Sequence, residues 1–363
     1  MGKAESANPN QRTLHLTVEV SGCLGECAHC WAQGHPYPPM EMGDIERILE
    51  EGSRFCQSEG LRFMPGPMHE VLMHPDALKI IRLFHSYADG KIFEPFATPG
   101  PILAQRADWK EILDCLKGLG TTTLWFAIHG LDELHDRVAG RNGAFKETIT
   151  AIERAKSVGL RCGTNLFITS ANAHQIPEIL DYFRCVGMDE FSAEVVSYNC
   201  NPRGREYQAL RPELAELLPH AQSMVEATGF HRDFWSNLDQ HTEGYYVNHM
   251  LANPEPGETT WPDPDSIHIP IVCRSNFDLR VGKAGSRGPL FGNLRKDDPQ
   301  AVLRKAVEAA PFSFLLWCCP EEQVPSPLEL VQGWGNPEGQ KVYMRAWDLH
   351  MRLSDLALGK VAE

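Results

Sequence analysis

Hydrophobic and polar positions alternate strictly over residues 13–20. Leu14, Leu16, Val18 and Val20 fall on one side; His15, Thr17 and Glu19 fall on the other. That period of two predicts a strand. A helical period follows over about residues 43–55. Residues 61–64 form a short apolar run that ends in Pro65-Gly66-Pro67, and Pro75 opens a helix with Leu78, Ile81 and Phe84 on one face. Residues 91–98 read as a strand broken by Pro99-Gly100-Pro101. Trp109, Ile112, Leu113 and Leu116 mark a helix that Gly118 or Gly120 ends.

The same alternation of elements continues through strands at 122–128, 160–169 and 191–198. Between them lie helices marked by Phe145, Ile149 and Ile152, and by Ile176, Ile179, Leu180 and Phe183. About six strand–helix units in succession predict a parallel β/α fold, either an open barrel or a doubly wound sheet. In both, functional residues sit at the C-terminal ends of strands. The register weakens after Arg205. Helical stretches appear over 213–228, and the proline-rich segment 253–270 reads as a loop or linker. A short alternation covers 277–281, and a last helix is expected over about 341–358.

Composition narrows the class. The 363 residues are 42% hydrophobic and 23% charged, as in an ordinary globular protein, and are enough for one large domain and a smaller one. No apolar run approaches a membrane span. Met1-Gly2-Lys3-Ala4-Glu5-Ser6 has no apolar core segment, so no secretory signal is expected and the cytoplasm is the expected compartment. A net charge of −14 argues against a nucleic-acid partner. It serves solubility, or draws a cationic substrate.

Eleven cysteines are many for such a chain, and an odd count in a reducing compartment argues against a disulfide framework. Three of them lie within eight residues, directly after the first strand, as Cys23-Leu24-Gly25-Glu26-Cys27-Ala28-His29-Cys30. Zinc sites take four protein ligands or three and a water, and ferredoxin-type clusters usually take four cysteines. Three thiolates on one tight loop therefore leave one iron of a four-iron cluster open to another ligand.

This spacing resembles the motif of the radical S-adenosylmethionine (SAM) superfamily. The resemblance implies a [4Fe–4S] cluster on Cys23, Cys27 and Cys30, SAM chelated at the open iron, and a 5′-deoxyadenosyl radical. It also implies a reductant such as flavodoxin or ferredoxin. The fold so implied is α/β: a partial (β/α)6 TIM-type barrel over residues 1–210, with a smaller α+β extension over 211–363 that caps the substrate. Gly66-Pro67-Met68-His69-Glu70 is similar to the family segment that contacts the SAM ammonium, with Glu70 the matching acid. The alternative for Glu70 is an exposed acid at a helix start. Ala127-Ile128-His129-Gly130, followed by His135-Asp136, resembles the fourth-strand segment, with Ala127 and His129 where a serine and an aspartate are usual. Carried over, His29 packs near the adenine, Arg141 pairs with the SAM carboxylate, and Asn165 touches the ribose.

Cys273-Arg274-Ser275-Asn276-Phe277, with the glycine-containing segment after it, looks like the start of a SPASM or twitch extension whose second cysteine is missing. Three readings stand. Cys273, Cys318 and Cys319 bind an auxiliary cluster; or Cys273 donates a hydrogen atom to a substrate radical; or these cysteines are small core residues. The isolated Cys56, Cys115, Cys162, Cys185 and Cys200 are expected in the core. His231, His241 and His249 are too scattered for a metal site. The nearest group is expected to be enzymes that tailor aminoglycosides and aminocyclitols. The expected substrate is thus a small molecule, neutral or cationic, such as a sugar or aminocyclitol, and the expected reaction is epimerisation. Dehydrogenation, elimination and peptide modification are the alternatives.

Overall fold

The structure is a computed structural model. It describes residues 11–30, 36–88, 92–198, 202–252, 260–261, 268–281, 289–310, 312–313, 331, 338–344 and 346–357. The chain forms two compact units. One comprises residues 1–22, 37–92 and 257–321; the other comprises 23–36, 93–256 and 322–363. Both draw on residues before and after position 210.

The first unit is built on β1 (Thr13–Glu19), α1 (Met42–Glu59), β2 (Arg62–Met68) and α2 (Ala77–Tyr87). The strict alternation of β1 has a simple cause: Leu14, Leu16, Val18 and Val20 are all fully buried. α1 presents Ile45, Ile48, Leu49 and Phe55 as its buried stripe and ends at Gly60, whose φ of 67° is the left-handed cap. Its Gly52 is needed for space, since a Cβ there would stand 2.7 Å from the Phe63 ring. β2 runs on through Pro65 and Pro67, beyond the expected stop. It pairs in parallel with β1 alone, from Thr13↔Arg62 to Glu19↔Met68, at the edge of its sheet. An edge strand tolerates residues that cannot donate on the open side.

The second unit carries β3 (Phe96–Thr98), α3 (Pro101–Gln105), α4 (Trp109–Gly118), β4 (Thr123–Ile128), α5 (Asp132–Ala139), α6 (Ala144–Ser157), β5 (Arg161–Ile168), α7 (Ile176–Val186) and β6 (Glu190–Val195). β3, β4, β5 and β6 pair in parallel in that order. β3 is shorter than the strand expected over 91–98. All six strands of the expected partial barrel are therefore present, and the fold class is α/β with an added C-terminal part.

The largest departure from expectation lies in the C-terminal half. The expected linker over 253–270 contains the short strand β7 (Thr260–Trp261) and ends in β8 (His268–Cys273). β8 pairs in parallel with β1, from Thr13↔His268 to Val18↔Cys273. β9 (Asp278–Val281) and β10 (Leu290–Asn293) continue that sheet antiparallel. Proline composition misled here because Pro270 sits in a strand whose other residues, Ile269, Ile271, Val272 and Cys273, are buried against β1. Helical residues over 213–228 are present as short pieces, Leu214–Leu217 and Ala221–Ala227. The last helix spans Ala346–Ala357; Lys341 and Val342 instead bridge to Glu213 and Thr242. Tyr343, Leu349, Leu353 and Leu356 pack with Tyr246 and Val247 in a small core of the second unit. Among the described residues no helix is long and apolar enough to cross a membrane.

Candidate functional site

In the second unit the cysteine loop is strapped to the end of α5. The Glu26 and Ala28 amides donate to the Ala139 and Val138 carbonyls, both at 3.0 Å, and the Cys30 amide closes a turn on the Cys27 carbonyl at 3.0 Å. α5 was not expected from the sequence pattern. It ends at Gly140, φ 64°, where a Cβ would lie 3.0 Å from the Glu26 carbonyl oxygen. Close approach of two backbones and a left-handed φ both require glycine there. Cys23, Cys27 and Cys30 are half-buried, and among the described cysteines none forms a disulfide. Among the described residues no three His, Cys, Asp or Glu side chains are grouped to hold a metal ion. Three soft thiols on one pinned loop are nonetheless the donor set that suits an iron–sulfur cluster.

Behind the loop stands a buried aromatic cluster. The His29 ring lies 4.8 Å from His129, 5.0 Å from Phe167 and 5.9 Å from Tyr207. His129 stacks on Phe167 at 5.6 Å and meets His135 at 5.0 Å. Burial holds His29 and His135 neutral, lowering each to about 4. Burial, with His29 and His135 close by, takes His129 well below the usual imidazole range. The His129 backbone is fixed at both polar atoms: its N–H donates to His135 Nδ1 at 3.3 Å, and its carbonyl accepts from Asn172 Nδ2 at 2.9 Å. Its Nε2 lies 3.8 Å from Cys27 Sγ. Asn172, fully buried, also binds the Phe167 carbonyl and the Thr169 amide; nothing in the sequence singled it out.

His135-Asp136, which resembled part of the fourth-strand segment, makes local structural bonds here. The Asp136 carboxylate accepts from the Gly143 and Phe145 amides at 2.5 and 2.8 Å and so anchors the start of α6. Arg141 is engaged by Glu147, with guanidinium–carboxylate contacts of 2.8 to 3.1 Å. Asn165 donates to Glu194 at 2.8 Å across the β5–β6 pair. The expected partners of Arg141 and Asn165 thus meet competing ones in the same unit.

In the first unit, Glu70 is buried rather than exposed, and its carboxylate caps a one-turn helix by accepting from the Leu72 amide at 3.1 Å. Its backbone accepts from Ser21 Oγ at 2.8 Å and donates to the Gly22 carbonyl at 3.3 Å. The segment leading into the cysteines is thereby tied to the end of β2. Next to it lies an ionic group that sequence reasoning missed. Glu19 accepts from His69 at 3.0 Å and from the Ser275 amide at 2.7 Å, and faces Arg274 at 3.5 Å. His69 reaches it from a left-handed backbone, φ 60°. Burial would raise the Glu19 carboxyl, but the His69 bond, Arg274 and the Ser275 amide together hold it down to about 2.

Cys273 is fully buried at the end of β8, with its Sγ 3.7 Å from the Arg274 carbonyl. Burial, Glu19 and Asp278 all push its thiol upward, so it keeps its hydrogen. Cys318, Cys319 and Cys200 lie outside the described residues. Of the cysteines expected in the core, Cys56 and Cys162 are buried, but Cys115 is half-buried and Cys185 is exposed. A helical position alone does not say which face a small residue takes.

Residues 20–183 match the Radical SAM superfamily. That segment matches a radical SAM domain, and such a domain works with a [4Fe–4S] cluster and SAM. Over 194 residues the chain is 24% identical to the sporulation killing factor maturation protein SkfB of Bacillus subtilis (strain 168), covering 53% of this chain and 44% of that protein. Over 245 residues it is 22% identical to Fe-coproporphyrin III synthase of Methanosarcina barkeri, covering 64% and 57%. The chain thus spans about half the length of these relatives. A solved structure, native anSMEcpe with bound AdoMet and a Cp18Cys peptide, shares the fold at a TM-score of 0.52 and 14% identity, over 96% of this chain and 99% of that one. These matches correct the expected kinship with aminoglycoside and aminocyclitol enzymes. The expectation had rested on a cysteine spacing that resembles a motif of the whole superfamily, and a motif of that breadth does not identify the branch.

Proposed function

We propose that this chain is a radical SAM enzyme that abstracts a hydrogen atom from a peptide substrate. The observation that carries the radical reading is the loop Cys23–Cys30, pinned to α5 by the backbone bonds of Glu26 and Ala28 inside a matched radical SAM domain. What supports a peptide is the relative SkfB, by its name a maturation protein of a killing factor.

In this reading Cys23, Cys27 and Cys30 hold the cluster, which together with SAM supplies the 5′-deoxyadenosyl radical. His29 walls the adenine side and excludes water with Phe167 and Tyr207. Glu70 orients the SAM ammonium, Asn165 the ribose, and Arg141, released from Glu147, the SAM carboxylate. Residues 1–210 make the radical-generating part, and 211–363 cap the substrate.

A second reading keeps the sugar or aminocyclitol substrate and its epimerisation. One observation favours it: the Cys273 thiol is held protonated by burial, and a thiol that keeps its hydrogen can give it to a carbon radical.

The test is anaerobic. Reconstituted protein with SAM and a chemical reductant is expected to form 5′-deoxyadenosine, and the triple variant Cys23→Ala, Cys27→Ala, Cys30→Ala to form none and to lose its absorbance near 400 nm, because the thiolates are the cluster ligands. A triple variant that still cleaves SAM defeats the reading. Candidate peptides and aminocyclitols, run in deuterated water and read by mass, separate the substrate classes. A peptide of altered mass supports the first reading. One deuterium gained by a cyclitol, lost in Cys273→Ala, supports the second.

A further inference from the structure

We propose that His129 donates a hydrogen bond from Nε2 to the sulfur of Cys27 and thereby raises the reduction potential of the cluster that Cys27 holds. The inference rests on the assignment of Cys27 as a cluster ligand, made above, and adds a residue that the family resemblance places in no such role.

The geometry is specific. His129 Nε2 stands 3.8 Å from Cys27 Sγ, within the longer reach of hydrogen bonds to sulfur. Neither partner is loosely held. His129 follows β4 with its amide on His135 and its carbonyl on Asn172, and the ring is wedged between His29 and Phe167. Cys27 lies on the loop that Glu26 and Ala28 strap to α5.

The direction of the bond follows from proton counting. A ligating sulfur carries no hydrogen, so a bond between these two atoms needs the hydrogen on Nε2. Nδ1 of His129 is buried and has no hydrogen-bond partner among the described residues, so no other contact holds the ring hydrogen away from Nε2.

The consequence concerns charge. Reduction adds an electron that spreads onto the thiolate sulfurs. A donor aimed at one of them stabilises the reduced form more than the oxidised form, and hydrogen bonds to sulfur are a recognised determinant of cluster potential.

The experiment compares wild type with His129→Phe and His129→Gln. The first keeps a flat ring without a donor; the second keeps an N–H near the Nε2 position. Reconstituted proteins are titrated with reductant under an electron paramagnetic resonance readout, with iron content measured in parallel. His129→Phe is expected to disfavour reduction about tenfold, which for one electron is a shift of about 59 mV to lower potential. His129→Gln is expected to stay within about threefold of wild type. If the phenylalanine variant does not fold, His129→Met, flexible and without a donor, carries the same test. A donor-free variant with full iron content and an unchanged potential overturns the proposal. So does a His129→Gln variant shifted as far as the donor-free one. Full iron content in Cys27→Ala instead removes the ligand assignment, and the proposal falls with it by a distinguishable route.

Discussion

Two buried polar clusters occupy the ends of parallel strands in the two units, and they solve opposite problems. At the end of β1, Glu19 keeps its charge: His69, Arg274 and the Ser275 amide surround it and hold the carboxyl down at about 2. After β4, the histidines lose theirs. His29 and His135 fall to about 4 because burial dominates, and at His135 it outweighs the opposing pull of Asp136. A buried charge is kept only where donors and countercharges are built around it; a titratable ring without them stays neutral. The first arrangement fastens chain segments far apart in sequence. The second presents neutral rings beside the thiols proposed to hold the cluster.

Removing the charged partner breaks the comparison most severely. Glu19→Ala leaves His69 and Arg274 without their carboxylate, and losing one member of a buried pair costs about 3–5 kcal/mol. Denaturant unfolding is expected to show that loss, with Glu19→Gln intermediate because the amide still accepts from the Ser275 amide. A change below about 1 kcal/mol in Glu19→Ala would mean that the segment around Arg274 is held by the β1–β8 ladder alone.

Acid separates the two clusters by pH. Glu19 titrates near 4.5 in the unfolded chain and near 2 when folded. Its contribution is full above pH 4.5 and is lost as pH falls through 2. His135 titrates near 6.5 unfolded and near 4 folded. The unfolded chain takes up the proton first, so stability falls as pH drops from 6.5 and stops falling below 4. Each window is on the order of 3 kcal/mol. Stability of the cluster-free protein measured against pH, as the difference between wild type and Glu19→Gln or His135→Gln, is expected to lose the lower step in the first variant and a share of the upper step in the second. A Glu19→Gln curve parallel to wild type below pH 4.5 would show that the carboxylate is not specially held.

The smallest effect sharpens the role of the cysteine loop. Gly140→Ala forces a side chain into a left-handed position, at about 1–2 kcal/mol, and brings its Cβ to 3.0 Å from the Glu26 carbonyl oxygen. Thermal unfolding is expected to report the modest loss, while iron incorporation falls by a larger factor. Unchanged iron content would show that the loop adjusts without losing its ligands.

Several features were legible from residue order. β4, β5 and β6 were named as strand-like runs between helices, and a period-two run named β1, because one-sided burial imposes alternation on a strand. Period-3.6 runs named α1, α2, α4, α6 and α7 for the same reason on a helix. The cysteine loop was legible because its three thiols stand on one short stretch of chain, the spacing the proposed cluster would use. Other features were hidden. Glu19 and Arg274 are 255 positions apart, and only the pairing of β8 with β1 brings them together. His129 lies 102 residues beyond Cys27 and reads in the sequence as a missing aspartate; its place beside the sulfur is set by the strap between the loop and α5. Arg141 and Asn165 sat where a cofactor contact was expected, but whether a polar side chain waits for a ligand or binds a neighbour depends on what stands next to it, here Glu147 and Glu194. Residue order fixes local periodicity and short-range ligand spacing, because both act within a few residues. Which distant groups share a buried space, and so which charges survive there, was decided by tertiary packing, because desolvation and hydrogen bonding depend on neighbours that the order of residues does not name.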